Sequence, residues 1–241
     1  MRRVGNLWPQ LTSFSHLLAC ARKSARGKRF ESAVLRYHSR LEDELLALQE
    51  QLRAQTWMPG PFREFVIRHP KPRLVSAAPY RDRVVHHALV GVLEPVFERC
   101  FISDSYASRK GKGTHAAMRR CQQFCRRNAW VWKADVRHFF PSIDHALLKA
   151  RIARKVKDPD VLRLTGAIID HSPPPDEPAG LFPGDDLFTA ARRPRGLPIG
   201  NQTSQFFANV YLEPTCEVQA DDRRQRPAGR RPKERCARRV W

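Results

Sequence analysis

The sequence predicts an α+β fold that opens with a helical segment, and three patterns carry that prediction. Apolar residues recur at helical spacing in two long stretches, residues 31–55 and 81–97. Between them lie two short apolar runs separated by a turn, and a third apolar run follows at residues 129–136. Hydrophobic residues make up 41% of the 241-residue chain, enough for a real core and too many for a disordered polymer.

Each element follows from its local pattern. In the first stretch Leu35, Leu41, Leu45, Leu48 and Leu52 form an apolar stripe, with Glu42, Asp43, Glu44 and Glu50 opposite. Pro59, Gly60 and Pro61 stop that helix. Phe65-Val66-Ile67 and Leu74-Val75 read as two strands joined by Arg68-His69-Pro70-Lys71-Pro72-Arg73. Like charges repel across such a turn, so the tip fits either a bound anion or plain solvation. The second helical stretch carries Val84, Val85, Ala88, Leu89, Val92, Leu93 and Val96. His86 and His87 are adjacent on it, point about 100° apart and cannot jointly hold a metal.

Ser105 to Thr114 is a polar loop with Arg109, Lys110 and Lys112 beside Gly111 and Gly113. Glycine lets backbone amides approach a phosphate, although the spacing fits neither a P-loop nor a dinucleotide fingerprint. Residues 129–136 read as a buried strand ending near Asp135. Helices are expected at 145–156 and 160–170, then a surface excursion at 172–195 containing Phe182 to Asp186. A last helix over 201–212 packs through Phe206, Phe207, Val210 and Tyr211. From Glu213 onward large apolar residues almost vanish while Arg and Lys crowd in, which predicts a disordered tail.

Lys and Arg number 44 against 24 Asp and Glu, a net charge of +20 spread along the chain. Such an excess points to a polyanion, most often nucleic acid, with a merely basic surface as the alternative. Of the cysteines only Cys121 and Cys125 stand close, and no second pair completes a structural zinc set. Free thiols and a cytoplasmic location are expected, with no signal peptide and no membrane span.

Asp135 carries the chemistry. A carboxylate at the end of an apolar strand is costly unless it is paired or metal-bound. Joining a nucleotide to a primer uses divalent ions held by carboxylates, with metals about 4 Å apart. Lys71, Arg73 and Arg109 are candidates to balance a triphosphate.

These residues resemble a known family. Lys133 to Asp144, with Asp135 and Phe140-Pro141-Ser142-Ile143 inside it, looks like the first palm motif of bacterial reverse transcriptases. Gly196-Leu197-Pro198-Ile199-Gly200 through Gln205 looks like their second palm motif. Pro70 to Arg73 and Ala78 to Ala88 resemble the fingers blocks, and Tyr106 to His115 the block between fingers and palm. The resemblance implies a right-hand polymerase fold: a helical segment at 1–60, fingers at 61–134, a partial palm at 135–212, and an out-of-frame, disordered tail at 213–241. It implies that Asp135 and the Val136 carbonyl bind Mg²⁺. It implies that Lys71, Arg73 and Arg109 meet the triphosphate, that Phe140 lies under the sugar, and that Ile199 and Gly200 pack near the base. Asp144 more simply caps a helix.

The implied partners are an RNA template, a DNA primer, a dNTP and an accessory protein of a retroelement. The group II intron, retron and diversity-generating retroelement types share these blocks. The Ile199-Gly200-Asn201 form is similar to the last of them. The family's Tyr-x-Asp-Asp motif is absent from the sequence, since Gln219-Ala220 precede Asp221-Asp222, and no thumb follows. A frameshifted or decayed reading frame would leave this pattern. The chain is therefore expected to be inactive alone, the alternative being a non-catalytic RNA-binding remnant of a retroelement.

Overall fold

The computed structural model describes residues 3–175, 186 and 188–224. Short helix α1 (Trp8–Leu11) leads into α2 (Phe14–Ser24), which starts where the Ser13 hydroxyl accepts the His16 N–H at 3.3 Å. The expected helix over 31–55 is two helices, α3 (Ser32–His38) and α4 (Leu41–Arg53). The step from Leu35 to Leu41 departs from the helical repeat, which puts Leu35 off the common face. Leu35 is exposed, and α3 buries Val34 and Tyr37 instead, while Leu45, Leu48 and Leu52 of α4 are buried as the stripe predicts. At the break the Ser39 hydroxyl turns back to the Arg36 carbonyl at 2.9 Å.

Strands β1 (Arg63–Ile67) and β2 (Arg73–Ala77) form an antiparallel hairpin with Phe65 opposite Val75. Helix α5 (Tyr80–Glu98) follows and runs through the centre of the core. It is packed by α2 on one side and by the last helix, residues 202–224, on another. Its Val84, Val85, Ala88, Leu89, Leu93 and Phe97 are almost fully buried. Burial of a Leu or Phe removes enough apolar surface from water to stabilise the fold by about 2 kcal/mol each.

Helix α6 (Thr114–Arg127) buries no residue. The remaining helices are α7 (Phe139–Ser142), α8 (His145–Lys155), α9 (Pro159–Asp170), α10 (Thr189–Arg192) and α11 (Gln202–Arg224). Asp144 caps α8, its carboxylate accepting the Leu147 N–H at 2.8 Å, as the sequence indicates. Asp158 does more. It caps α9, and its Oδ2 accepts the Leu7 and Trp8 N–H groups at 2.9 and 3.0 Å. A bridge between Val4 and Val156 runs beside it, so the N-terminal segment is fastened to α8 and α9. Phe206 and Phe207 of α11 complete the core, and Phe206 meets Phe97 edge-on at 5.6 Å.

Two expectations are corrected. Residues 129–136 are not a buried strand: among the described residues no strand pairs with them, and Trp130 and Trp132 are 91% and 83% exposed. A strand needs a neighbour for its main-chain groups and a layer for its side chains, and the hairpin β1–β2 supplies neither. The last helix does not end at Leu212 but runs to Arg224, with Glu213 buried against Lys155 at 3.4 Å. Helical hydrogen bonding is local, so the backbone can continue without an apolar face. The rest of the expected disordered tail, residues 225–241, and the middle of the 172–195 excursion, residues 176–185 and 187, lie outside the described residues. No helix among the described residues is long and apolar enough to cross a membrane.

Two histidines of α5 make stability depend on pH. Burial, with His87, Arg83 and His171 nearby, lowers His86 to about 3. Burial and Lys23 lower His87 to about 4. Both are neutral in the folded protein while the unfolded chain takes up their protons below 6.5, so stability falls as pH drops from 6.5 toward about 4. Asp82, whose carboxyl burial raises, acts in the opposite sense only near the carboxylate range. Circular dichroism melts across that window should show the melting temperature falling with acid, and His87→Gln should flatten the fall.

Candidate nucleotide and nucleic-acid site

The two palm-like segments meet through their main chains. The Leu197 N–H donates to the Phe140 carbonyl at 3.0 Å, and the Gly196 N–H to the Ile143 carbonyl at 2.8 Å. Asp144 bridges to Arg195, and the His145 N–H donates to the Pro194 carbonyl at 3.1 Å. The buried His145 ring adds a bond from Nε2 to the Gly196 carbonyl at 2.7 Å. Gly196 has φ +98, and a Cβ there would stand 3.2 Å from the Pro175 ring, so the turn requires glycine.

The same turn is pinned to the hairpin. The Ser76 N–H on β2 donates to the Ile199 carbonyl at 3.0 Å. Buried Asn201 then makes two opposed bonds. Its Oδ1 accepts the Ala78 N–H at 3.1 Å, and its Nδ2 donates to the Ser76 carbonyl at 2.9 Å. Gly200 lies against Val75, where a Cβ would come within 2.6 Å of Val75 Cγ1. Phe140, Ile199, Gly200 and β2, which Arg73 opens, thus belong to one hydrogen-bonded unit. Phe140 is half-buried and packs edge-on against Phe139 at 5.7 Å. Lys71 and Arg73 are exposed at the turn end of the hairpin.

Arg109 is placed differently from its expected role. Its guanidinium is nearly buried and spans both carboxylate oxygens of Glu98, with Nε at 3.0 Å from each. It also donates to the Ile102 and Ser105 carbonyls at 2.7 and 2.8 Å and lies over Phe101. Arg109 therefore shapes the loop after α5, with four of its five N–H groups committed to Glu98 and the two carbonyls. Lys112 likewise closes on the Ser103 carbonyl at 2.6 Å.

Asp135 and Val136 stand exposed on the extended segment before α7. Among the described residues no group of three or more His, Cys, Asp or Glu could hold a metal ion. Mg²⁺ binds through carboxylates and substrate phosphates in a near-octahedral shell. A lone exposed carboxylate does not fit a resident ion, and no step through a metal follows from these residues. Sequence reasoning passed over Glu98 and Asp158 and named Asn201 only within its motif. Asp158 carried a local signal, standing just before Pro159 at a helix start, whereas the partners of Glu98 and Asn201 are set by how the chain folds.

The chain is similar to intron-encoded proteins and intron maturases. It is 28% identical over 183 residues to Protein YkfC of Escherichia coli, covering 72% of this chain and 45% of that protein. To the group II intron-encoded protein LtrA of Lactococcus lactis it is 24% identical over 174 residues, 71% of this chain and 27% of that one. Nuclear intron maturase 1 of Arabidopsis thaliana is 34% identical over 93 residues, 39% of this chain and 13% of the maturase. The chain thus spans less than half the length of these relatives. A chain of a partial Cas6-RT-Cas1–Cas2 complex aligns with 90% of this chain and 35% of its own, at 18% identity and a TM-score of 0.49. No family model matches the chain.

The double bond of Asn201 gives a direct test. Asn201→Ala leaves a buried N–H and a buried carbonyl unpaired, which should cost about 2 kcal/mol or more in urea unfolding. Asn201→Asp should cost at least as much, because its carboxylate would face the Ser76 carbonyl without a donor.

Proposed function

We propose that the chain is the fingers and front palm of an RNA-directed DNA polymerase of the intron-encoded kind, a reverse transcriptase, which does not complete the polymerase site by itself. The observation that carries this is the hydrogen-bonded unit joining the 139–144 segment, the 196–201 turn and the β2 strand. It unites three of the sequence blocks that resemble that family, in one local frame. Similarity over 71% of the chain to a group II intron-encoded protein supports the same reading.

In this reading residues 61–134 serve as fingers and 135–212 as partial palm. Lys71 and Arg73 are exposed cations for the triphosphate of a dNTP, where positioning and charge dominate phosphoryl transfer. Phe140 forms the floor under the sugar and disfavours a 2′-hydroxyl. Ile199 and Gly200 form the shelf for the base, and an apolar Ile199 in the manner of diversity-generating retroelement enzymes removes one hydrogen bonder there. Arg109 is reassigned from substrate to loop anchor. Asp135 and the Val136 carbonyl are one part of a metal site, and the further carboxylates for Mg²⁺ must come from outside the described residues.

A second reading is favoured by the +20 charge and the isolated carboxylate of Asp135. It is RNA binding without catalysis.

Primer extension on an RNA template with dNTPs and Mg²⁺ separates the cases. The chain alone should give no extended product. Robust extension that Asp135→Ala abolishes would overturn the claim of an incomplete site. In the same mixture the chain should hold the RNA–DNA primer–template, and Lys71→Ala with Arg73→Ala should weaken dNTP cross-linking several-fold while leaving that complex in place. RNA binding that survives Asp135→Ala, with no effect of the hairpin variants on dNTP cross-linking, would favour the non-catalytic reading.

A further inference from the structure

A basic pocket of about 320 Å³ lies between α2, α5 and the Gly200 turn. Lys23, Arg26 and Lys28 come from the end of α2 and the turn after it, and Arg83, His86 and His87 come from α5. Gly200, Asn201 and Gln202 close the third side at the start of α11. The first amides of a helix carry partial positive charge and lack intrahelical partners.

Two features of the pocket work against folding. The cations repel one another, and among the described residues Glu31 answers them, 3.9 Å from both Lys28 and Arg83 at a solvated edge. His86 is 4% exposed, yet its Nδ1 has no hydrogen-bond partner among the described residues, and the Nδ1 of His87 has none either. A buried ring nitrogen without a partner costs free energy comparable to a lost hydrogen bond. An anion with several acceptor oxygens removes the first cost, because it neutralises lysines and arginines that come from α2, the turn after it and α5.

We infer that this pocket binds a backbone phosphate of a single RNA strand. The inference rests on the proposed function only in taking RNA as the partner; the place and the residues are its own. Gly200 and Asn201 line the pocket and also touch β2, through Val75 and Ser76, so the pocket shares a wall with the hydrogen-bonded unit. Inorganic phosphate or a dNTP triphosphate would offer the same chemistry, so the test carries arms for each.

The full chain is titrated into a fluorescein-labelled single-stranded RNA of about 16 nucleotides, a length one such surface can span, with anisotropy read at two salt concentrations. Lys23→Ala with Arg26→Ala should weaken binding about ten-fold and lower the salt slope by about 0.7 for each phosphate no longer neutralised. Arg126→Ala with Arg127→Ala removes equal charge from exposed α6 positions and should have a much smaller effect. Unlabelled RNA should displace the probe, whereas equal concentrations of dATP or inorganic phosphate should not. Equal weakening by the two double variants, or no weakening by Lys23→Ala with Arg26→Ala, would overturn the pocket while leaving the proposed function standing. Displacement by dATP or phosphate at equal concentration would overturn the RNA assignment. Absence of any RNA binding by the unaltered chain would sink both the pocket and the reading it rests on.

Discussion

Helix α5 has almost no solvated face, and that constraint organises the molecule. Within Tyr80–Glu98 only Pro95 is exposed, so the helix must be covered from several directions at once. α2 and α11 supply two covers, and the polar groups on the helix must then be matched inside the core. Tyr80 is held this way: its hydroxyl donates to the Ala21 carbonyl at 2.8 Å while accepting from Ser24 at 3.0 Å. Asp82 accepts the Gly60 N–H at 2.7 Å, which brings in the chain ahead of the hairpin. His86 and His87 depart from this rule: the Nδ1 of each is buried without a hydrogen-bond partner among the described residues.

The candidate site hangs from the ends of this core. Asn201 stands where α11 begins and Ala78 where α5 is about to begin, so one side-chain amide fixes the turn, the hairpin and two core helices in register. Because both main-chain groups are buried, water cannot substitute for the amide. The turn's glycines then follow from close approach: Gly200 touches Val75, and Gly196 faces Pro175. Specific placement of Phe140 and Ile199 is a consequence of these backbone bonds rather than of contacts made by their own side chains.

Order of a different kind prevails around Asp135. α6 covers no core, and Trp130, Val131 and Trp132 are exposed. Extended backbone leaves alternate main-chain groups without partners, and large apolar rings in water oppose burial-driven stability. The Asp135 carboxylate is therefore held by less surrounding structure than Phe140, Ile199 and Gly200, which sit in the hydrogen-bonded unit.

Much of the helical architecture was readable because helices bury a periodic face and cap with local side chains. The stripe of Leu45, Leu48 and Leu52, the α5 pattern and the Asp144 cap each involve residues within a few positions of one another. The short apolar runs that became β1 and β2 were readable because their turn lies between them. The candidate residues Lys71, Arg73, Phe140, Ile199 and Gly200 were nameable through motif resemblance, yet the joining of their segments was not, since it depends on bonds between residues dozens to more than a hundred positions apart. Arg109 shows the other side of this. Its charge and loop setting were visible, but Glu98 and two carbonyls claimed the guanidinium once the chain folded. The apolar run at 129–136 carried strand character in its composition, and pairing is a property of two strands. Local chemistry settled which segments are helices and which residues are charged; long-range burial and hydrogen bonding settled which of those charges remain available to a ligand.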